Sequence, residues 1–150
     1  MIRIFSDEIW IGQPQDKVFE FFSNAKNLDS ITPGWLDFRI ITKIPVDMQA
    51  GTLLEYQLKL KGVPVHWITE ICEWDPPHRF VDRQLKGPYR KWIHTHRFDQ
   101  KDGGTFVRDE VEYEIPGWIF EPLINRFFVG PDLKRIFAYR RNELQKQFSG

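Results

Sequence analysis

Residues 90–115 carry the pattern that most restricts the fold: two alternating segments on either side of Asp102-Gly103. An Asp-Gly pair between alternating segments is a strong signal for a two-residue β-hairpin turn. The opposed pairs on one face of this hairpin are then Trp92–Tyr113, His94–Val111, His96–Asp109 and Phe98–Val107. That face is mostly apolar and the other face is mostly charged. Because burying several charges is costly, the first face must point inward.

Similar alternation continues through the chain between two helical regions. Strands are predicted over residues 2–11, 35–44, 54–60, 63–74, 78–86, 90–100 and 104–115. Helices are predicted after Pro14, at 24–30 and over 121–148, with a kink or break at Gly130-Pro131 because proline has no N–H to donate. This order predicts one domain over residues 1–150 with an α+β fold: a curved antiparallel sheet of about seven strands around a long C-terminal helix.

Three polar residues fall on the inward face of the hairpin: His94, His96 and Asp109. A buried carboxylate needs a partner, and His96 is the expected cross-strand partner of Asp109. Polar groups that converge on an aromatic interior are typical of a small-molecule site. The alternative is a structural hydrogen-bond network beneath the helix.

The preceding strand adds Asp82 and Gln84 to this face, and its register depends on the next loop. A three-residue loop at 87–89 places Asp82 opposite His94. A two-residue loop at 87–88 places it opposite the outward-facing Ile93. The sequence leaves both registers open.

The histidine pair permits two kinds of chemistry. His94 and His96, together with Asp109 or Asp82, have the donor types of a two-histidine, one-carboxylate metal site. That spacing is short and common, so no metal and no cofactor is assigned. Acid–base catalysis by either histidine stays open, with His94, His96 and Asp109 as the candidate catalytic residues. His66 and Cys72 have outward parity, and no nucleophile motif is found.

Composition excludes several partners. Lys plus Arg and Asp plus Glu each number 21, so no global attraction to nucleic acid is expected. The basic residues late in the last helix are expected to form a solvated face: Lys134, Arg135, Arg140, Arg141 and Lys146. No apolar run is long enough for stable membrane insertion, and the single cysteine suits a reducing compartment, so a cytoplasmic location is expected. Monomer and homodimer both stay open.

Several motifs resemble the SRPBCC, or START-like, superfamily. They are Pro14-Gln15-Asp16-Lys17-Val18-Phe19-Glu20-Phe21-Phe22, the run Trp74–Asp82, Gly87-Pro88-Tyr89, Trp92-x-His94-x-His96-x-Phe98, Asp109-x-Val111-x-Tyr113 and Ile136-Phe137-Ala138-Tyr139-Arg140. The closest likeness is to the polyketide cyclase/dehydrase-like, bacterial ligand-binding branch. The resemblance implies a helix-grip fold with a cavity between sheet and helix. It implies no shared catalytic set, because the superfamily includes carriers, hormone binders and aromatase/cyclases.

The first hypothesis is therefore a module that binds a small hydrophobic molecule, aromatic or polycyclic, in that cavity. The residues expected at the site are Tyr56, Trp67, Phe80, Trp92, Phe98 and Tyr113 as walls, Asp82, Gln84, His94, His96 and Asp109 at a polar end, and Phe127, Phe128, Ile136 and Phe137 from the helix. The alternatives are a cyclase or dehydratase that uses a buried His/Asp pair, and a protein-interaction module whose cavity is filled.

Overall fold

The hairpin around Asp102-Gly103 forms in the expected register. In the computed structural model, which describes residues 1–149, it joins β6 (Lys91–Lys101) to β7 (Gly104–Glu114). Asp102 and Gly103 have φ of 50° and 77°, the left-handed conformations that a two-residue turn of this kind needs. His94 lies opposite Val111 and His96 opposite Asp109, as predicted.

The other strands extend this hairpin into a seven-stranded antiparallel sheet. They are β1 (Arg3–Ile11), β2 (Arg39–Ile40), β3 (Leu53–Leu60), β4 (Val63–Asp75) and β5 (Arg79–Lys86). The spatial order is β1-β7-β6-β5-β4-β3-β2. The first strand, β1, therefore pairs with the last strand, β7. Each strand from β3 to β7 also pairs with the strand that precedes it in the chain.

Helices cover one face of the sheet. They are α1 (Gln15–Phe22), α2 (Asn27–Ser30), α3 (Glu121–Ile124) and α4 (Gly130–Phe148). Leu133 and Phe137 of α4 pack with Val111 and Tyr113 of β7, and Leu144 packs with Phe98 of β6. The face of the hairpin that was predicted to point inward, because it carries few charges, is thus the face that the helices cover. Within residues 1–149, no helix is both long and apolar enough to cross a membrane.

The predicted interruption at Gly130-Pro131 takes the form of a wide turn rather than a break. Residues Asn125–Val129 form a π-helical turn between α3 and α4, and Pro131 lies in the first turn of α4. The helical conformation is continuous across this junction, and the wide π turn directly before Pro131 accommodates the residue that has no N–H to donate. The extra residue of the π turn rotates the preceding side chains by about 100° relative to the buried face of α4.

The strand predicted over residues 35–44 is much shorter in the structure. Only Arg39–Ile40 pair with β3, and a 3₁₀ turn at Gly34–Leu36 precedes them. Asp37 follows that turn with φ of 45°, a left-handed conformation that interrupts an extended segment. Apolar and polar residues alternate in this segment, but its local turns prevent it from forming a continuous strand.

The loop at 87–89 decides the register of β5. Asp82 lies opposite His94, the register of the three-residue loop. Gln84 bridges this loop: its Nε2 donates to the Tyr89 carbonyl over 2.7 Å, and the Tyr89 N–H donates to Gln84 Oε1 over 3.1 Å. These two bonds hold the Tyr89 backbone beside the sheet.

Candidate functional site

A cavity of about 190 Å³ lies between the sheet and the helices. Most of its wall is apolar: Leu36, Phe38, Leu54, Tyr56, Leu58, Leu60, Trp67, Ile71, Phe80, Tyr89 and Trp92 from one side, and Phe22, Ile31, Leu133, Ile136 and Phe137 from the helices. Strand alternation explains the β3 contribution, because every second residue from Leu54 to Leu60 faces inward. This space is not occupied by side chains, whereas the filled-cavity hypothesis requires that it is.

Polar side chains meet at one end of the cavity wall. Asp82 of β5 and His94 and His96 of β6 all line it. The His96 Nε2 to Asp82 Oδ2 distance is 2.7 Å, and the His94 Nε2 to Asp109 Oδ1 distance is 2.8 Å. His96 Nδ1 lies 3.3 Å from the same Asp109 oxygen without the alignment of a hydrogen bond. Asp109 therefore forms its short hydrogen bond with His94. His96, which was expected to be the partner of Asp109, is bonded to Asp82 instead.

Aromatic stacking fixes the imidazole rings. The His96 ring lies between two others, with centroid distances of 4.0 Å to Phe80 and 3.7 Å to His94. The Phe137 ring of α4 contacts His94 edge-on at 5.7 Å. Because the rings are packed on several sides, their nitrogens are held in fixed directions before any ligand arrives.

Arg140 completes the cluster from α4. Its Nη2 lies 3.3 Å from Asp109 Oδ1, and its guanidinium stacks over Phe22 and Phe137. The side chain is 12% exposed. Sequence analysis placed Arg140 on a solvated face, and this was wrong. Its spacing from Leu133, Phe137 and Leu144 is that of the buried stripe, and this signal could have identified it.

The residues of this cluster shift one another's pKa values in different directions. Burial alone would raise the pKa of Asp109, but the Arg140 guanidinium and the two imidazoles hold it well below its usual range. Burial and the charge of His96 lower the pKa of His94 despite its bond to Asp109. Burial opposes the charge on His96 too, but Asp109 and Asp82 outweigh it and raise the pKa of His96. The two shifts have opposite directions, so a proton is favoured on His96 over His94.

Residues 11–136 match the family described as polyketide cyclase / dehydrase and lipid transport, which is most of the chain. The chain belongs to this family. The match confirms the resemblance seen in the motifs. No curated protein matches the chain. The family and its fold are of the ligand-binding and cyclase type, and the family description alone does not select between these activities.

Solved structures share the fold at low sequence identity. The Zhui aromatase/cyclase from Streptomyces sp. R1128 is 16% identical, with 98% of this chain and 93% of that chain covered and a TM-score of 0.76. Major latex-like protein 151 from Panax ginseng is 11% identical, with 99% of both chains covered and a TM-score of 0.72. A protein from Thermus thermophilus is 19% identical, with 98% and 100% covered and a TM-score of 0.69. These likenesses confirm the helix-grip fold of the family.

The structure brings most of the predicted site residues to the cavity. Those that line it are Tyr56, Trp67, Phe80, Asp82, Trp92, His94, His96, Ile136 and Phe137. Asp109 lies behind the histidines. Gln84 is engaged with the Tyr89 backbone, and the Tyr113 hydroxyl donates to Asn125 Oδ1 over 2.7 Å. Phe98 packs with other phenylalanines beyond the cavity.

Phe127 and Phe128 need a larger correction. Both were expected to close the cavity, yet they are 61% and 52% exposed and lie away from it. They belong to the π turn that precedes α4. Even a regular helix, at about 100° per residue, would have placed them about 120° and 140° from Leu133, outside the face that Leu133 and Phe137 bury.

Proposed function

We propose that the protein binds a compact aromatic molecule that carries a polar group at one end. The observation that supports this is the junction between an apolar, largely aromatic wall and the polar cluster of Asp82, His94 and His96. A few convergent polar groups in an apolar concavity fix the orientation of a ligand. The apolar remainder supplies binding free energy by releasing water.

Cavity size limits the ligand. The volume of about 190 Å³ is modestly larger than the roughly 150 Å³ that accommodates benzene in an engineered apolar cavity. One aromatic ring with a small substituent fits this space. A polycyclic ligand would need the walls to move apart, so we narrow the expectation to compact aromatics.

The Asp82 carboxylate is placed to meet the polar end of the ligand. Asp82 is ionised, because its bond to His96 keeps the pKa of its carboxyl below the usual value despite burial. A hydroxyl on the ligand can donate to it. A phenol carries such a hydroxyl on a single aromatic ring.

The pair p-cresol and toluene tests this proposal, because they differ only in the hydroxyl. A hydrogen bond to a charged group contributes about 1.5–3 kcal/mol. Calorimetric titration should therefore show p-cresol binding at least about tenfold more tightly than toluene. Native mass spectrometry of the freshly purified chain should also reveal any molecule that is carried through purification. Equal affinities, or no binding of either compound, would contradict the proposal.

Ile136→Trp supplies a blocked variant, since Ile136 lines the cavity from α4. The indole should occupy the space and weaken p-cresol binding at least about tenfold. Lys134→Trp is the matched control, because Lys134 is exposed on the same helix and adds the same ring outside the cavity. Wild-type affinity in folded Ile136→Trp would place the binding site elsewhere.

A second candidate is catalysis of ring closure and water loss, favoured by the divided pKa values of the histidines. The raised pKa of His96 suits a general acid, and the lowered pKa of His94 suits a general base. Both histidines face the cavity where a substrate would lie.

A short linear poly-β-ketone tests this candidate. His96→Gln should lower kcat by about 10²–10⁴-fold, the usual contribution of a general acid, with a much smaller change in KM. The wild-type profile of kcat/KM against pH should be bell-shaped. An equal loss of binding and turnover in His96→Gln would indicate a positioning role instead.

A further inference from the structure

We propose that Asp82, His94 and His96 form a binding site for a divalent transition metal such as Zn²⁺. One ligand atom from each residue lies within 4.8 Å of those from the other two. All three residues line the cavity, so the remaining coordination positions would face it. The inference goes beyond the proposed function, because metal binding requires no organic ligand.

The donor set suits such a metal. Two imidazoles and one carboxylate, arranged with open positions, bind first-row transition metals in many proteins. The sheet places them together: Asp82 lies directly opposite His94 across β5 and β6, and His96 follows two residues later on the same face. Their positions are therefore set by backbone pairing rather than by a loop.

A supporting shell already exists behind the proposed ligands. His94 Nε2 bonds Asp109 Oδ1 at 2.8 Å, which leaves Nδ1 of His94 for a metal. His96 Nδ1 lies 3.3 Å from the same oxygen, which leaves Nε2 of His96. Metal-bound histidines generally bond a carboxylate through their other nitrogen, and this fixes the ring orientation. Asp109 already does so for His94, and its Oδ1 lies close enough to His96 Nδ1 to do so for the second ring after a small realignment.

Binding requires small movements of the ligands: the nearest pair must open, and any pair near the 4.8 Å limit must close by about 1.4 Å. His96 Nε2 and Asp82 Oδ2 are 2.7 Å apart. Two ligand atoms on one Zn²⁺ lie about 2.8–3.4 Å apart, given bonds of about 2.0–2.1 Å and angles between 90° and tetrahedral. The pair would open by less than an ångström. Asp82 retains 15% exposure of its side chain toward the cavity, which gives it that freedom.

The local charge favours a cation. Asp82 and Asp109 contribute two carboxylates, and Arg140 is the guanidinium that faces Asp109, at 3.3 Å. A metal at His96 Nε2 would displace any proton held there, and with both histidines neutral the cluster carries one net negative charge. A divalent cation would be attracted to this net negative charge, because the site is poorly solvated.

Metal binding can be measured on the full chain without p-cresol, so that its failure is separate from failure of the proposed function. The protein is stripped with a chelator, titrated with Zn²⁺ or Co²⁺, and its metal content is determined by mass spectrometry. We expect one ion per chain, with visible Co²⁺ absorption bands from the bound ion. Asp82→Asn and His96→Gln should abolish stoichiometric binding, and Asp109→Asn should weaken it about 10–100-fold.

His66→Gln is the matched control, because His66 lies on the same sheet beside Glu55 and outside the cluster. It should bind one ion as the wild type does. Circular dichroism of the metal-free variants establishes that each is folded. No bound ion in the wild type, or unchanged stoichiometry in folded Asp82→Asn and His96→Gln, would overturn the proposal and leave the cluster as an ion-pair network only.

Discussion

Asp109→Ala is expected to destabilise the protein by about 3–5 kcal/mol, the usual cost of removing one partner from a buried ion pair. Asp109 is 4% exposed, and its Oδ1 faces both His94 Nε2 and Arg140 Nη2. Without it, the Arg140 guanidinium and the His94 N–H are left buried and uncompensated. Urea unfolding followed by Trp fluorescence measures the change, with the slope against urea required to stay constant.

Two further variants identify the cause of this loss. Asp99→Ala removes a carboxylate that is 55% exposed on the same hairpin, 4.0 Å from Arg108, and should change stability by no more than about 0.5 kcal/mol. Asp109→Ala combined with Arg140→Leu should cost less than the sum of the single changes, since the second removes the stranded charge. Additive effects would show that the ion pair is not responsible.

The pH dependence of this loss has a definite sign. The Arg140 guanidinium and the imidazoles depress the pKa of Asp109 in the folded state. A depressed carboxyl pKa adds stability above the unfolded value and loses it as pH falls through the folded value. The difference in unfolding free energy between the wild type and Asp109→Asn should therefore be largest near neutral pH and shrink below about pH 5. A difference that grows on acidification would contradict this assignment.

The faces of the sheet could be predicted because they differ so strongly in charge. A one-residue slip of the hairpin would have buried Arg97, Arg108 and Glu110, which fixes the register without any knowledge of the rest of the fold. The register of β5 could not be chosen in the same way. It depends on the length of the loop at 87–89, which the Gln84 side chain bridges.

Position along a strand was harder to predict than face. Phe80, His96 and Phe98 share the inward face, but Phe98 lies beyond the cavity, among residues of α1. Alternation gives the side of the sheet on which a residue lies and contains no information on which helix covers it. The predicted site therefore extended further along β6 than the cavity does, and it included Phe98.

Helical phase accounts for the remaining errors. Arg140 lies on the buried stripe of α4, whereas Phe127 and Phe128 lie before its start, in a wide turn. At about 100° per residue, a regular helix would already place Phe127 and Phe128 about 120° and 140° from Leu133, outside the buried stripe. The phase could therefore have been calculated from the sequence, but the two residues were assigned to the cavity on their apolar character alone.

Phe98→Ala is expected to cost about 3–5 kcal/mol of unfolding free energy, the range for truncating a buried phenylalanine. The Phe98 side chain is fully buried, and its ring centroid lies 5.1 Å from those of Phe19 and Phe22. These contacts join β6 to α1, so the resulting void would lie between sheet and helix. Phe106→Ala is the matched control: Phe106 lies on the outward face of the same hairpin under Lys101 and Arg108, and its loss should cost about 1 kcal/mol or less.

The same position separates stability from ligand binding. Phe98→Leu retains an apolar side chain and should fold with a smaller loss, of about 1–2 kcal/mol, because much of the space stays filled. Since Phe98 does not line the cavity, this variant should bind p-cresol with wild-type affinity, whereas Ile136→Trp should not. If folded Phe98→Leu weakened p-cresol binding as much as Ile136→Trp, the ligand would have to reach the Phe19–Phe98 contact. The binding cavity would then extend along β6 toward α1, as the alternation of that strand first predicted.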